Sequence, residues 1–184
     1  MELDTTRVAV LLPLLPGKQV VAIDGRAGSG KSTLAAQIAE STGAGIICMD
    51  DFFLPSALRT PERFATPGGN IHHERFAEEV IPFLRTGAGF SYRIFDCKRM
   101  DFNGERYVAP APLRVVEGAY ALHPVLGAYA DFRVFSEIDP DLQRERIKKR
   151  NGDKAAAVFF EKWIPLENEY IEAYKINKDA DIVV

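Results

Sequence analysis

The chain has 184 residues, of which 47% are hydrophobic and 27% charged, with a net charge of −3. This length predicts one domain with a sizeable buried core, and the acidic balance gives no electrostatic footprint for general nucleic-acid binding. The apolar runs at residues 8–15 and 20–23 are too short to span a bilayer, and no signal-like leader opens the chain, so we expect a cytoplasmic protein without a membrane partner.

Short apolar strands alternate with helices along the chain. An irregular or helical lead-in over residues 1–16 precedes them, residues 54–70 form a Pro- and Gly-containing connection, and residues 90–107 predict a hairpin around Asn103-Gly104. This alternation predicts an α/β fold with a parallel sheet covered on both faces. The predicted strands are residues 19–23, 45–49, 113–116, 131–138 and 181–184, and the predicted helices are 32–40, 71–85, 141–149 and 154–174, the last with a bend at Pro165.

The first predicted strand and helix flank a glycine-rich loop of sequence GRAGSGKS, which fits the pattern G-x-x-x-x-G-K-[ST]. Such a loop brings backbone N–H groups around phosphate oxygens, and the next helix points its partly positive N-terminus at the same anion. Lys31 would reach the outer phosphates, and the Ser32 hydroxyl would bind Mg²⁺. The alternative is a flexible turn that binds nothing. The predicted triphosphate site comprises Gly25, Arg26, Ala27, Gly28, Ser29, Gly30, Lys31, Ser32 and Thr33.

Acidic residues follow two further predicted strands. Asp50-Asp51 comes after the second strand and Glu117 after the third. Ligands of parallel sheets bind at the carboxyl ends of the strands, so these acids and the glycine-rich loop are expected to converge. Phosphoryl transfer needs this chemistry: a metal on the phosphates, carboxylates that hold it, and a base or positioner for the attacking hydroxyl.

Three segments together resemble the uridine kinase and nicotinamide riboside kinase branch of the P-loop kinases: residues 25–33, 49–55 (MDDFFLP) and 115–118 (VVEG). The resemblance runs from about residue 20 to the C-terminus. It implies a three-layer P-loop NTPase fold in one domain of residues 1–184, with an acceptor-site insert at about 54–110 and a lid at about 141–155. It also implies Mg²⁺-dependent transfer of the ATP γ-phosphate to a hydroxyl of a small molecule, such as a nucleoside or riboside.

By position, the resemblance implies that Asp50, in preference to Asp51, is the general base or hydroxyl positioner beside the metal. Glu117 would hold Mg²⁺ together with Ser32 and Asp50, directly or through water. Each acid could instead be a strand-end carboxylate in a salt bridge or a helix cap.

In the acceptor half, His72 stands where these kinases have an aspartate that binds ribose hydroxyls. A carboxylate accepts two hydroxyl hydrogen bonds, whereas a neutral imidazole has one acceptor nitrogen. The departure leaves open a non-ribonucleoside acceptor, or a substitute role for Glu74 or His73. In the predicted hairpin, Tyr92, Arg93 and Asp96 resemble the family's substrate-binding stretch, although aromatic residues there could simply pack on the sheet.

The basic helix at residues 141–150 follows the fourth strand, where the family has an arginine-rich lid. Arg146 and Arg150 lie four residues apart, so they can share one helix face and neutralise charge on the transferring phosphoryl group. The alternative is an ordinary solvated face of a charged helix.

Several functional alternatives stay open at this stage. They are a kinase for a pantothenate- or sugar-acid-like acceptor, a P-loop ATPase or switch, and a nucleotide-binding protein with a drifted acceptor site. No clear N-K-x-D motif is present, which argues against an ordinary GTPase. We expect a small-molecule partner and no nucleic acid, while the oligomeric state is left open, homo-oligomers included.

Overall fold

A five-stranded parallel sheet lies at the centre of the computed structural model, which describes residues 5–184. The strands of the molecule are β1 (Val20–Gly25), β2 (Gly45–Cys48), β3 (Phe90–Asp96), β4 (Asp101–Val108), β5 (Arg114–Glu117), β6 (Phe132–Ser136) and β7 (Ile182–Val183). Across the central sheet their order is β2-β5-β1-β6-β7, and every neighbouring pair is parallel. Strands β3 and β4 form a separate antiparallel hairpin.

Helices cover both faces of this sheet. They are α1 (Thr5–Leu11), α2 (Lys31–Thr42), α3 (Pro61–Ala65), α4 (His73–Glu79), α5 (Pro140–Val158), α6 (Ile164–Tyr174) and α7 (Ile176–Asp179). No helix within the described part of the chain is both long and apolar enough to cross a membrane. The part of the predicted lead-in at residues 1–4 lies outside the described residues.

Side chains of β1 alternate between two apolar cores, as the period of a strand requires. Val20 and Ala22 belong to the core that includes Phe76 of α4 and residues of α6. Val21 and Ile23 belong to the opposite core, which α2 and the Leu11 region of α1 complete. The strand is buried along its whole length, so its near-continuous apolar sequence reflects coverage on both sides. The predicted α/β, three-layer fold is confirmed.

The hairpin differs from the prediction in the position of its turn. Strands β3 and β4 are joined by residues 97–100, whereas Asn103-Gly104 lies inside β4. The pairing shifts between Arg93–Glu105 and Phe95–Phe102, so two residues of β4 stand opposite one residue of β3. This is a β-bulge, a feature for which Asn-Gly is as well suited as for a turn.

Two predicted helices also differ in detail. The helix expected over residues 71–85 ends at Glu79, and Pro82 then lies in a short 3₁₀ turn, because proline cannot donate the next helical hydrogen bond. Its N-cap is His72 and not Asn70, which is buried. The expected bend at Pro165 is replaced by a π-helical turn, Phe159–Trp163, directly before it. Pro165 itself lies in the first turn of α6, where its missing N–H is tolerated.

Candidate active site

The glycine-rich loop lies between the end of β1 and the first residue of α2. The Lys31 ammonium is nearly buried and donates to the backbone oxygens of Gly25 at 2.7 Å and Arg26 at 2.9 Å. The backbone of the loop therefore surrounds the Lys31 ammonium group, and the 12-residue helix α2 begins at this lysine. Backbone N–H groups and a lysine at a helix N-terminus form a site for phosphate.

Strand register places the other predicted groups beside this loop. Ile23 of β1 pairs with Glu117 of β5, which pairs with Cys48 of β2. The Ser32 hydroxyl donates to the Glu117 carboxylate at 3.0 Å. Burial raises the pKa of Glu117, and the negative charge of nearby Asp50 raises it further. The structure thus brings together the three residues predicted to hold the metal.

The oxygen atoms at this site fit Mg²⁺. A hydroxyl and a carboxylate are hard donors, and Mg²⁺ is usually held by one or two protein oxygens together with phosphates and waters. Within residues 5–184 no cluster of three or more His, Cys, Asp or Glu residues could hold a metal by itself. A shared site with a bound triphosphate is the arrangement that the donor set suits.

Asp50 and Asp51 lie in the 3₁₀ turn Met49–Phe52 that follows β2, but among the described residues only the Asp51 carboxylate has hydrogen-bond partners. The buried Asp51 carboxylate accepts from Arg106 at 2.8 Å and from the Tyr92 hydroxyl at 3.1 Å. The Asp50 carboxylate accepts no hydrogen bond from the described residues and is open to solvent. Asp50 is therefore the acid that is available for a ligand.

The pKa of Asp50 is raised, chiefly because surrounding protein atoms disfavour its charged form. Asp51 adds to this shift, whereas the positive charges of Lys31 and Arg150 oppose it. Solvent access through the open side of the cleft limits the effect of burial. Asp50 therefore lies within electrostatic range of Lys31 and of Arg150, one of the two arginines predicted to form a lid.

A cavity of ≈ 330 Å³ lies beside Asp50, between the segment after β2 and the tip of the hairpin. Of the residues predicted to contact the acceptor, only Asp96 lines it together with Asp50. Asp96 also accepts the backbone N–H of Lys98 at 2.8 Å, so it shapes the hairpin turn at the same time. The cavity is lined by Asp50, Phe53, Ile94, Phe95, Asp96, Cys97, Lys98 and Asn103.

His72 lines a second cavity, of ≈ 410 Å³, with Leu58, Thr60, Arg63 and Glu74. Its backbone N–H donates to Phe52 at 2.7 Å, which places it beside the segment that carries Asp50. The His72 Nδ1 atom is buried without a hydrogen-bond partner among the described residues. Burial lowers the pKa of His72, so the ring is neutral near pH 7.

Tyr92 and Arg93 do not line either cavity. Tyr92 is fully buried, and its hydroxyl accepts from the Cys48 N–H at 3.0 Å while donating to Asp51. Arg93 lies on the outer side of β3, where it pairs with Glu79 and covers the ring of Phe102 at 4.7 Å. In this geometry Tyr92 supports the loop that carries Asp50, and Arg93 joins the hairpin to α4.

The predicted lid arginines both lie on α5. Arg146 donates to the backbone oxygen of Gly28 at 3.1 Å, so this helix already contacts the phosphate loop. Arg150 donates to the side chain of Asn151 at 2.7 Å, and its guanidinium lies 5.4 Å from the ring centre of Phe159. Both guanidinium groups are exposed and border the loop or Asp50.

Two buried acids near the loop were missed by the sequence reasoning. Asp24, the residue before the loop, accepts from the backbone N–H groups of Tyr120 and Leu122 and from the Tyr170 hydroxyl at 2.7 Å. Glu167 of α6 accepts the N–H of Ala27 at 2.9 Å. Asp24 could have been predicted from the sequence, because it is an acid at the end of a buried strand. No local sequence signal marks Glu167.

A glycine-rich phosphate loop between the central strand of a parallel sheet and a covering helix defines the P-loop NTPase fold. No protein-family model and no curated protein matches the sequence. Solved structures do resemble it.

One is a possible uridine kinase from Bacillus stearothermophilus, with a TM-score of 0.73, 22% identity, and coverage of 100% of this chain and 99% of that one. Another is a candidate fructose transport system kinase from Silicibacter sp. TM1040, with a TM-score of 0.69, 23% identity and coverage of 100% and 99%. A third is YFH7 from Saccharomyces cerevisiae, a candidate P-loop kinase with a circular permutation, with a TM-score of 0.65, 14% identity and coverage of 98% of both chains. The resemblance to the uridine kinase type of P-loop kinases is thereby confirmed for the fold.

Proposed function

We propose that the chain is an ATP- and Mg²⁺-dependent kinase that transfers the γ-phosphate to a hydroxyl group of a small molecule. The observation that carries the proposal is the solvent-open Asp50 carboxylate beside the phosphate loop and the Ser32–Glu117 pair. An ATPase or a nucleotide switch needs the loop and the metal ligands, but it does not need a cavity for an acceptor, such as the one of ≈ 330 Å³ beside Asp50. The kinases among the similar structures add support at the level of the fold.

The donor half would work through residues 25–33. Backbone N–H groups of this segment bind the phosphates, except that of Ala27, which donates to Glu167. Lys31 releases the oxygens of Gly25 and Arg26 to reach the outer phosphates. Ser32, Glu117 and Asp50 would hold Mg²⁺, which when bound neutralises charge on the phosphate oxygens. Arg146 and Arg150, in the proposed lid at about 141–155, stabilise charge that develops on the transferring group.

The acceptor half would lie in the proposed insert at about 54–110. The acceptor hydroxyl enters the cavity beside Asp50, whose carboxylate orients it and accepts its proton during transfer. Phe53 and Phe95 offer apolar rings, and Asp96 offers a polar edge.

A nucleoside or riboside is the acceptor class to test first, since the cavity of ≈ 330 Å³ is in the size range of small-ligand sites. One observation favours a second class. His72 lines the cavity of ≈ 410 Å³ with a neutral ring in place of a carboxylate, which suits an acceptor without a ribose diol, such as a pantothenate-like compound.

The proposal is tested by ADP formation from Mg·ATP with and without nucleosides, ribosides, sugars, sugar acids and pantothenate. We expect one acceptor class to stimulate ADP formation, and we expect Asp50→Asn to lower that turnover by about 10²- to 10⁴-fold while nucleotide binding is kept. Glu105→Gln, an exposed change on β4, serves as the control and should leave the rate unchanged. Acceptor-independent hydrolysis that persists in Asp50→Asn would identify an ATPase, and nucleotide binding without any turnover would identify a binding protein.

A further inference from the structure

Glu167 is a buried carboxylate that the chemistry proposed above does not use. It lies on α6, 7% exposed, and its Oε2 accepts the backbone N–H of Ala27 in the phosphate loop at 2.9 Å. We propose that Glu167 is a positioning residue for nucleotide binding, because its carboxyl oxygen holds the backbone of Ala27 in the phosphate loop. The inference depends on nucleotide binding by the loop, and it does not depend on phosphotransfer.

The backbone of Ala27 is held from two helices at once. While Glu167 accepts its N–H, Gln143 of α5 donates to its carbonyl oxygen at 2.9 Å. Gln143 is also buried, so both contacts are shielded from water. Ala27 is therefore the point where the loop, α5 and α6 meet.

The neighbouring loop residues continue this arrangement. Asn168, next to Glu167 on α6, accepts from the guanidinium of Arg26 at 2.5 Å. Arg146, one turn after Gln143 on α5, donates to the oxygen of Gly28 at 3.1 Å. Helix α6 thus holds the first half of the loop and α5 holds the second half, so the shape of the loop depends on both.

Glu167 keeps an acceptor for the loop in either protonation state. Burial raises the pKa of Glu167 to about 7, and the acids Asp24 and Asp50 add to the shift, whereas Lys31 and the Ala27 N–H oppose it. A protonated or an ionised carboxyl group still has an oxygen that can accept the Ala27 N–H, and an unpaired buried N–H would cost free energy. Glu167 satisfies the Ala27 N–H from within the protein, and this fixes the conformation of the loop before the nucleotide arrives.

This role predicts a selective effect on the nucleotide. The loop contacts only the phosphates in the proposed reaction, so a loosened loop should weaken nucleotide binding and raise KM for ATP. KM for the acceptor should stay unchanged, because its cavity is formed by the hairpin and the segment after β2. A residue with a merely structural role would lower thermal stability without such a split.

The test compares Glu167→Gln, which keeps an acceptor oxygen, with Glu167→Met, which keeps the volume and removes the acceptor. Glu172→Ala, an exposed change on the same helix, is the control. Binding of Mg²⁺ with a non-hydrolysable ATP analogue is measured by calorimetry on the full chain, and folding is checked by circular dichroism. We expect Glu167→Met to weaken binding by about 10-fold or more, whereas Glu167→Gln and Glu172→Ala stay within about 3-fold of the wild type.

The inference is overturned if folded Glu167→Met binds the analogue like the wild type, or if Glu167→Gln loses as much affinity as Glu167→Met. Should Glu167→Met fail to fold, Gln143→Met removes the second contact to Ala27 and carries the test, with a loss of about 3- to 10-fold expected and unchanged binding as the contrary result. Wild-type binding without any acceptor-dependent turnover would reject the proposed kinase activity and leave the inference standing.

Discussion

Asp50 and Asp51 are adjacent in the chain, yet their carboxylates have different surroundings. Asp51 joins the turn after β2 to the hairpin through Tyr92 and Arg106, which lie 41 and 55 residues further along the chain. Asp50 points into the cleft and meets Lys31 and Arg150 only through their charge. The Asp51 carboxylate therefore stabilises the site, and the Asp50 carboxylate is available to act in it.

Replacing Asp51 by Asn should therefore reduce stability more than chemistry. The change removes the ion pair with Arg106, and because this arginine is 45% exposed, we expect a loss of about 1–2 kcal/mol in the free energy of unfolding. Urea unfolding measures it, with Asp50→Asn as the matched variant, which should retain the wild-type stability and lose turnover. Equal stability of Asp51→Asn and the wild type would contradict the structural role of the ion pair.

The sequence could predict the donor side chains at residue scale because their spacing is local. Lys31 and Ser32 follow from the loop motif, and the acids follow from their positions after strands. Whether Asp50 or Asp51 faces the cleft depends on partners in the hairpin, which local spacing does not reveal. The burial of Tyr92 could be predicted in part from the sequence, because Tyr92 and Phe90 lie two residues apart on one face of a strand. Both side chains are buried on β3.

Helix α5 contains a break at Gly152, between the two arginines of the proposed lid and the π-helical turn. Gly152 has φ 75° and ψ 161°, a conformation that side-chain-bearing residues rarely adopt. A Cβ at this position would meet no atom within 4 Å, so only the backbone conformation disfavours a larger residue. The break at Gly152 interrupts the helical path of α5. A lid that closes over the phosphate loop would need a hinge at this end of its arginine-bearing segment.

Gly152→Ala should cost about 1–3 kcal/mol of stability through backbone strain, and it should also lower kcat if the lid moves about this residue. Gly127→Ala is the matched control, because Gly127 has φ 69° and ψ −170°, equally open surroundings and no place in the lid. We expect similar losses in thermal unfolding for both variants and a several-fold loss of kcat for Gly152→Ala alone. Parallel kinetics of the two variants would rule out a hinge at this glycine.

At the scale of elements, the predicted parallel sheet and the helical layers that cover it were confirmed. Strand β1 and helix α2 carry clear apolar patterns because they are buried on the faces that the patterns indicate. The hairpin turn was misplaced because Asn-Gly suits a bulge as well as a turn, and only the pairing partner decides between them. No local signal in the sequence marks the π-helical turn before Pro165.

At the scale of the whole molecule, two histidines join the long segment after β2 to the end of β1, directly before the phosphate loop. The rings of His73 and His123 lie 4.3 Å apart, and their Nε2 atoms contact the backbone oxygens of Gly68 and Pro67 at 3.1 and 3.0 Å. His123 stacks on Tyr170, whose hydroxyl donates to Asp24 at the end of β1. This cluster joins α4, α6 and the central sheet.

The cluster predicts a dependence of stability on pH. Burial and the neighbouring His123 lower the pKa of His73 to about 4, and burial lowers that of His123 as well. Because these values lie below the ordinary value of about 6.5, the unfolded state binds more protons, so this stabilisation is present above pH 6.5 and is lost as pH falls towards 4. The contribution of His73 should be about 1–2 kcal/mol, after allowance for its partial contact with solvent.

The measurement is urea unfolding of the wild type and of His73→Gln between pH 5 and pH 7.5. Glu167, with its pKa raised to about 7, changes stability in the opposite direction over part of this range, so the difference between the two proteins is the quantity that isolates His73. The wild type should exceed the variant most at pH 7.5, and this advantage should shrink steadily towards pH 5. Both proteins keep His123, but only the wild type has the His73 ring, which takes up a further proton on unfolding. A difference that stays constant with pH would show that His73 stabilises this region by packing alone, through its contact with the His123 ring.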